Sequence, residues 1–157
     1  MSGNGCVKYV ALGSDHTSFS QKSTLRIFLE NAGYRVKDLG CHGPDRVDYP
    51  DVALAVARAV VSGECDRGIV LDGTGIGSAM TANKIRGIRA AVCHDERTAL
   101  ACREHNNANV LSLGGPLHGV DEICVMARCF LEAGFDGGRH LARVNKIMRI
   151  ERGDTEE

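Results

Sequence analysis

The stretch that decides the fold is GIVLDGTGIGSAMTANKI, residues 68–85. An apolar run ends at the charged Asp72, and three glycines follow at alternate positions, Gly73, Gly75 and Gly77. The run hardly alternates between apolar and polar residues, which is typical of a strand covered on both faces. Glycines let a ligand approach the backbone, and the loop N–H groups with the next helix start form an anion site. The stretch therefore predicts a buried strand, 67–72, followed by a ligand-binding loop.

The glycine loop does not match the common nucleotide-binding motifs. Its third glycine falls one residue too early for G-x-G-x-x-G, and no G-K-[ST] follows it. A second interpretation of the same residues stays open. The glycines would then form a tight turn with positive φ angles, and Asp72 would only cap the following helix.

Short β-branched runs alternate with segments of helical period along the whole chain. This alternation predicts an α/β fold with a five-stranded parallel sheet between helices, and ligands at the carboxyl ends of the strands. We predict strands at 7–13, 34–40, 67–72, 88–93 and 109–114, and helices at 17–32, from Pro50 to about Val60, from Ile76, at 96–105, near 120–133 and at 140–151.

Composition narrows the class of protein. The length of 157 residues fits one domain, 1–157, and we expect residues 151–157 to be a frayed tail. The net charge of -1 argues against nucleic-acid and membrane partners, and no segment is typical of a signal peptide or a membrane span. Seven irregularly spaced cysteines without C-x-x-C favour a reduced cytoplasmic protein. The six histidines are dispersed, and we expect neither a metal nor a cofactor.

Polar side chains follow other predicted strands as well. The first strand ends in GSDH, which contains Asp15 and His16, and EHNNAN, with His105 and Asn106, precedes the fifth strand. We expect these groups to converge with Asp72 on one edge of the sheet. Carboxylate, imidazole and amide groups would then surround a backbone anion site, which is more than helix capping requires.

With these residues in view, the chain resembles the family of type B ribose-5-phosphate isomerases and galactose-6-phosphate isomerase subunits. The matching segments occur in the family's order and extend from residue 7 to about residue 151. They are GSDH at 13–16, DYPD at 48–51, GTGIG at 73–77, ANKIRGIRAA at 82–91, EHNNANVLSLG at 104–114 and GGRHLARV at 137–144.

The resemblance implies a Rossmann-like three-layer α/β/α sandwich and a metal-free aldose–ketose isomerisation. It also implies a homodimer or homotetramer whose active site draws on two subunits. By position, His105 would be the ring-opening acid/base, Asp72 would occupy the place of the proton-transfer base, and the substrate would be a sugar phosphate. The substrate-binding residues would be Asp15, His16, Tyr49, Gly73, Thr74, Gly75, Ile76, Gly77, Asn106, Arg139 and Arg143.

Within that set, the roles and their alternatives differ. Asp15 would hold a sugar hydroxyl, and His16, Arg139 and Arg143 would hold the phosphate. Without the resemblance, the stripe of Arg139, Arg143 and Lys146 is more typical of a solvated basic face than of a phosphate site. Tyr49 fits either a core position or a lid over the substrate.

The chain departs from the family pattern at two positions. Asp72 stands where ribose-5-phosphate isomerases of this type have a cysteine base, whereas the A subunit of galactose-6-phosphate isomerase resembles this chain in having an aspartate. Pro116 replaces a phosphate-binding arginine, and we expect His118, two residues further on, to compensate for it.

The chemistry tolerates an aspartate base. A cysteine of pKa about 8.5 is only about 3% thiolate at pH 7, whereas an aspartate near 3.9 is fully ionised. The weaker basicity of aspartate lowers the rate by about two decades at a Brønsted slope of roughly 0.5, whereas its full ionisation raises the rate by about one and a half decades. We also expect burial beside the loop to raise its pKa.

Two other functions fit the same sequence. The chain could be a non-catalytic or half-site subunit that needs a paralogous partner, as the likeness to the A subunit permits. It could also be a regulator that binds a sugar phosphate without turnover. A five-carbon sugar phosphate is the default substrate. The length of the sugar that is accepted depends on the walls of the pocket, which the sequence does not define.

Overall fold

The structure, a computed structural model, describes residues 6–154. Its core is one five-stranded sheet in which every neighbouring pair of strands is parallel. The strands are β1 (Tyr9–Ser14), β2 (Arg35–Asp38), β3 (Arg67–Asp72), β4 (Ala90–Val92) and β5 (Val110–Gly114), in the spatial order β2-β1-β3-β5-β4. The predicted α/β fold with a five-stranded parallel sheet is confirmed.

Between residues 6 and 154, six α-helices cover the two faces of the sheet and one of its ends. They are α1 (Phe19–Asn31), α2 (Tyr49–Val61), α3 (Ile76–Ala82), α4 (Glu96–Glu104), α5 (Val120–Glu132) and α6 (Gly138–Glu151). Helices α1, α4 and α5 contribute Leu25, Ala99 and Phe130 to one apolar core, whereas α2 and α3 contribute Val52 and Ala82 to the other. The molecule is therefore the three-layer Rossmann-like sandwich that the resemblance implies.

The central strands explain why the apolar runs lack alternation. Successive side chains of a strand point to opposite faces, so Ile69 and Leu71 pack in one core while Val70 packs in the other. All residues of β3 are buried. The predicted bounds of β3 agree with the structure. Strands β2, β4 and β5 are shorter than predicted by one or two residues at an end, and β1 begins two residues later and ends one residue later than predicted.

The strand order creates a crevice between β1 and β3. The chain leaves β1 towards β2 on one side and later returns to β3 on the other side of β1. In parallel α/β sheets, ligands bind outside the carboxyl ends of the strands where the order reverses. Asp15 follows β1 and Asp72 ends β3, so the fold brings both carboxylates to this crevice.

The carboxyl-terminal helix α6 lies at the opposite end of the sheet. The Glu151 carboxylate accepts a hydrogen bond from the Gly87 N–H at 2.9 Å, and residues 152–153 form a turn after the helix. The helix thus includes the first residue of the expected frayed tail, 151–157, whereas residues 155–157 lie outside the described residues; fraying of the tail stays a prediction. Between residues 6 and 154, no helix combines the length and apolarity needed to cross a bilayer. The seven cysteines all carry free thiols.

Candidate active site

The Asp72 carboxylate is the centre of the glycine loop. Its Oδ1 accepts hydrogen bonds from the Thr74 N–H at 2.8 Å and from the Gly75 N–H, and its Oδ2 accepts one from the Ser78 N–H at 2.9 Å. The residue is only 3% exposed. Asp72 therefore does cap α3, as one of the two sequence interpretations proposes, and it also presents a buried carboxylate at the crevice.

The electrostatics of Asp72 differ from expectation. Burial raises the pKa of the carboxyl, but the neighbouring Ser78 hydroxyl and the backbone N–H groups of Thr74, Ser78 and Gly75 together lower it more strongly. The pKa therefore lies below the ordinary aspartate value. The expected rise in pKa was wrong, because the loop donors stabilise the charged form more than burial destabilises it.

Two loop glycines are required by their surroundings. Gly75 has a φ of 80°, and a Cβ there would lie 3.0 Å from the carbonyl carbon of Leu113. A Cβ on Gly77 would lie 2.5 Å from the Tyr49 ring, so this ring packs directly over the glycine backbone. Tyr49 itself is 41% exposed. It is thus a wall of the crevice rather than a core residue.

Asp15 and His16 lie in the short 3₁₀ turn after β1. The Asp15 carboxylate accepts hydrogen bonds from the Thr17 N–H at 3.0 Å and from its hydroxyl at 2.6 Å. The Ser18 hydroxyl donates to the Asp72 carbonyl at 2.9 Å, which joins this turn to the glycine loop. Asp15, His16 and Asp72 therefore lie at one edge, as predicted. Together with Tyr49 and residues 73–77 they form what we call the carboxyl-edge half-site.

A buried ion pair holds the loop beside His16. The His16 Nδ1 lies 3.2 Å from the Val47 carbonyl oxygen and 3.3 Å from its nitrogen. At the start of the same loop, Lys22 Nζ donates to both Asp38 carboxylate oxygens, at 2.6 and 2.7 Å, and to the Cys41 carbonyl at 2.7 Å. The sequence pattern does not distinguish this buried lysine from a surface one.

His105 and Asn106 do not join the carboxyl-edge half-site within one chain. Helix α4 runs back across the sheet, so its last turn lies where β5 begins. The Ala108 N–H donates to the Cys102 carbonyl at 2.9 Å, and Arg89, just before β4, donates to the Asn107 carbonyl at 2.9 Å. The expected convergence on a single edge was wrong, because a helix that connects parallel strands ends at their amino edge.

The amino edge carries a second cluster. Arg139 and Arg143 are exposed on the first two turns of α6. The ring of His140, between them, stacks on the ring of His105 with centroids 4.4 Å apart and planes 11° apart. The Asp136 N–H donates to the Glu104 carbonyl at 3.0 Å. These residues form what we call the amino-edge half-site: His105, Asn106, Asp136, Arg139, His140 and Arg143.

Known proteins of one family match this chain over nearly its whole length. The sequence model of the Ribose/Galactose Isomerase family matches residues 10–147. Ribose-5-phosphate isomerase B of Escherichia coli (strain K12) is 41% identical over 145 residues, which cover 92% of this chain and 97% of that protein. The galactose-6-phosphate isomerase subunit LacA of Streptococcus pneumoniae is 37% identical over 141 residues, 90% of this chain and 98% of that one.

A solved structure agrees with these sequence matches. Ribose-5-phosphate isomerase B of Clostridium thermocellum superimposes with a TM-score of 0.91 and 49% sequence identity, over 94% of this chain and 99% of that chain. The chain belongs to the ribose/galactose isomerase family. The family and enzyme class predicted from the sequence, sugar-phosphate aldose–ketose isomerase, are thereby confirmed.

Against this family background, the replaced arginine has a distinct setting. Pro116 lies in a short turn after β5, and His118 follows it. The His118 Nδ1 is 3.8 Å from the Glu122 carboxylate, and its ring centroid is 6.2 Å from that of His94. Within residues 6–154, His118 Nε2 is one of three buried side-chain atoms without a hydrogen-bond partner. Its compensation for the missing arginine stays a prediction.

The family motif GGRHLARV also contains a residue that sequence reasoning missed. His140 lies between the two arginines and was not assigned a role, although it is only 9% exposed. Its partner His105 is 35 positions away in the chain, so no local spacing links the two residues. The only available signal was the presence of a histidine inside the basic motif.

Proposed function

We propose that this protein interconverts an aldose phosphate and a ketose phosphate through an enediolate, with ribose 5-phosphate and ribulose 5-phosphate as the default pair. The observation that carries the proposal is the buried Asp72 carboxylate at the crevice between β1 and β3, beside Asp15 and His16. A base at this place can move a proton between C1 and C2. No cofactor enters the proposed reaction.

Asp72 Oδ2 is the atom that we assign as the base. A carboxylate offers about four lone-pair sites, and Oδ1 accepts two hydrogen bonds while Oδ2 accepts one. Oδ2 thus accepts fewer backbone hydrogen bonds than Oδ1, so it is the oxygen that we assign to the substrate proton. The lowered pKa keeps the group ionised at neutral pH, although it makes the base weaker. Aspartate serves as the base at carbon in other isomerases.

The enediolate oxygen needs hydrogen-bond donors that Asp72 does not already occupy. The N–H groups of Thr74 and Gly75 point at Asp72, so the donors that we propose are Gly73 and Gly77. Gly77 lies in the first turn of α3, where backbone N–H groups have no partner inside the helix. One donor of this kind contributes typically about 3 kcal/mol to the transition state.

We propose further that the complete site forms between two copies of this chain. The carboxyl-edge half-site of one copy would supply the base, with Asp15 holding a sugar hydroxyl and His16 contacting the phosphate. The amino-edge half-site of the other copy would supply the remaining groups. His105 would open the sugar ring, Asn106 would bind the substrate, and Arg139 and Arg143 would complete the phosphate site.

Exposed apolar side chains beside both half-sites support this association. Met80, on α3 next to the glycine loop, is 64% exposed, and Ile76 on the same helix is also exposed. Leu141, Ile147 and Ile150 are exposed on α6. In a twofold dimer that packs α3 of one copy near α6 of the other, each contact occurs twice and creates two composite sites.

The basic test is turnover by the purified chain. Four- to six-carbon aldose and ketose phosphates would be screened by NMR in deuterated water, which follows exchange of the C2 proton of an aldose and of a C1 proton of a ketose. We expect exchange and net isomerisation with at least one of these sugars. Binding without any proton exchange would overturn the proposal and favour a regulator.

The composite site has its own test. Asp72→Asn and His105→Ala each inactivate one half-site, and a mixed dimer of the two variants contains one intact composite site. Co-expression in equal amounts should therefore restore about a quarter of wild-type activity, since half the dimers are mixed and each has one of two sites. The matched control combines Asp72→Asn with Asp15→Asn, which share a half-site and should restore nothing. Equal inactivity of both mixtures would reject the shared site.

A second function rests on the likeness to the galactose-6-phosphate isomerase subunit. In that case the chain would supply one half-site to a paralogous partner and be inactive alone. An inactive homo-oligomer that gains turnover only when a second paralogue is added would favour this function over the first.

A further inference from the structure

The cluster of His105, Asp136 and His140 has a defined geometry that the proposed reaction leaves unused. One nitrogen or oxygen of each side chain lies within 4.8 Å of those of the other two. His105 ends α4 and is exposed, whereas His140 belongs to the first turn of α6 and is buried. The cluster therefore joins an exposed ring to a ring that the protein holds in place.

Such a residue set resembles a metal site, but the ring geometry speaks against one. A metal ion binds imidazole nitrogen in the plane of the ring, at about 2.0–2.1 Å. The two rings are nearly parallel and stacked. Since stacked carbon atoms stay about 3.5 Å apart, an ion shared by both rings would lie about 1.7 Å out of each plane. Joint coordination would require the stack to break.

We propose instead that His140 is a positioning residue for His105. The buried ring of His140 forms a flat support that fixes the orientation of the exposed His105 ring. The imidazole edge then points in one direction, towards the substrate that the neighbouring copy holds. This inference rests on the proposed role of His105 in ring opening.

The charges around the pair favour this arrangement. Burial lowers the pKa of His140, and the nearby His105, Arg139 and Arg143 lower it further, while Asp136 opposes them. His140 is therefore neutral at neutral pH. A neutral ring can support His105 in both of its protonation states, whereas a second imidazolium would repel the protonated form.

The test compares three variants of α6. His140→Ala removes the support, His140→Phe keeps a flat ring without nitrogen, and Asn145→Ala is an exposed control on the same helix. We expect His140→Ala to lower kcat about tenfold with an unchanged KM, because misoriented groups slow the chemical step. His140→Phe should recover kcat to within about threefold, since the stacked ring is retained. A wild-type kcat in His140→Ala would overturn the inference, as would a Phe variant as slow as the Ala variant.

A second readout does not depend on activity. In the NMR spectrum, the ring current of His140 should shift the signals of the His105 ring protons upfield in the wild type. The phenyl ring of the His140→Phe variant should cause the same shift. His140→Ala should return these protons to the position of an unstacked histidine. If the wild type lacks turnover but shows these chemical shifts, the proposed function is wrong and the stacking of His105 on His140 is still supported. An unshifted His105 in the wild type would overturn the inference itself.

Discussion

The two half-sites are built in different ways. The carboxyl-edge half-site consists of carboxylates at the ends of buried strands, and backbone N–H groups fix them in place. The amino-edge half-site consists of cationic and imidazole side chains on helix ends, and most of them are exposed. The carboxylate proposed as the base is therefore preorganised by the fold of one chain, whereas the groups proposed for the amino-edge half-site need a neighbouring molecule to become part of a closed site.

The largest expected effect separates catalysis from capping at Asp72. Asp72→Asn removes the base and should lower kcat by about 10²–10⁴-fold, the usual range for general base catalysis. Asp72→Cys should recover part of this turnover, with the acid limb of the kcat/KM profile displaced upward towards a thiol pKa. The check is steady-state kinetics over a range of pH. A wild-type kcat in Asp72→Asn would show that Asp72 only caps α3.

The hydrogen bonds make asparagine an imperfect cap here. Its amide has one acceptor oxygen, so the NH₂ group must face the Ser78 N–H or the donors of Thr74 and Gly75. We therefore expect Asp72→Asn to lose about 1–3 kcal/mol of unfolding free energy. Activity must be measured well below the melting temperature, so that a lower kcat reports chemistry rather than unfolding.

The next effect concerns how rigid the carboxyl-edge half-site is. Lys22 is 1% exposed and forms an ion pair with Asp38, so Lys22→Met leaves a poorly solvated carboxylate whose remaining partners include Arg26 Nη1, at 3.6 Å, and the Gly40 N–H. We expect a loss of about 3 kcal/mol in unfolding free energy and faster hydrogen exchange in residues 40–48. The matched control is Lys37→Met, which breaks the exposed pair with Glu64 and should cost at most about 1 kcal/mol. Equal losses in the two variants would mean that burial of the pair is irrelevant.

A smaller effect is expected at the amino-edge half-site. Arg143→Ala should raise KM for the phosphorylated sugar by about 10- to 100-fold, which corresponds to a lost charge-assisted hydrogen bond of about 1.5–3 kcal/mol. The control is Arg149→Ala, an exposed arginine in the last turn of the same helix. If both variants keep the wild-type KM, the basic stripe of α6 is only a solvated face.

The smallest effect is a pH dependence of stability. The pKa of Asp72 is lowered from 3.8 on folding, so its charged form stabilises the protein above that pH. This contribution is lost as the pH falls through the folded-state pKa. The stability difference between the wild type and Asp72→Asn should therefore shrink on acidification, as measured by urea unfolding between about pH 3 and about pH 6. A constant difference would contradict the lowered pKa.

Most of the fold could be predicted because its signals are local. The apolar run up to Asp72 and the glycines after it define β3 and the start of α3 at the correct residues. The same loop shows the limit of that reasoning. The pKa of Asp72 depends on how many N–H groups point at it, and the sequence does not contain that geometry.

The position of His105 was lost for a different reason. Residues that lie near strand ends in sequence do not all share one edge of the sheet, because α4 reverses direction between β4 and β5. That reversal follows from the parallel sheet itself and was available in principle. The stacking of His105 on His140 could not be predicted from the sequence, because it depends on how α6 packs beside the end of α4.

The distance between the buried end of β3 and the exposed start of α6 has a consequence for how such enzymes diversify. The proposed base and the proposed phosphate-binding arginines are encoded in separate segments of the gene. Substitutions in α6 can change how the phosphate is held while the core around Asp72 stays intact. A lineage can therefore vary phosphate recognition without first losing the base or the fold.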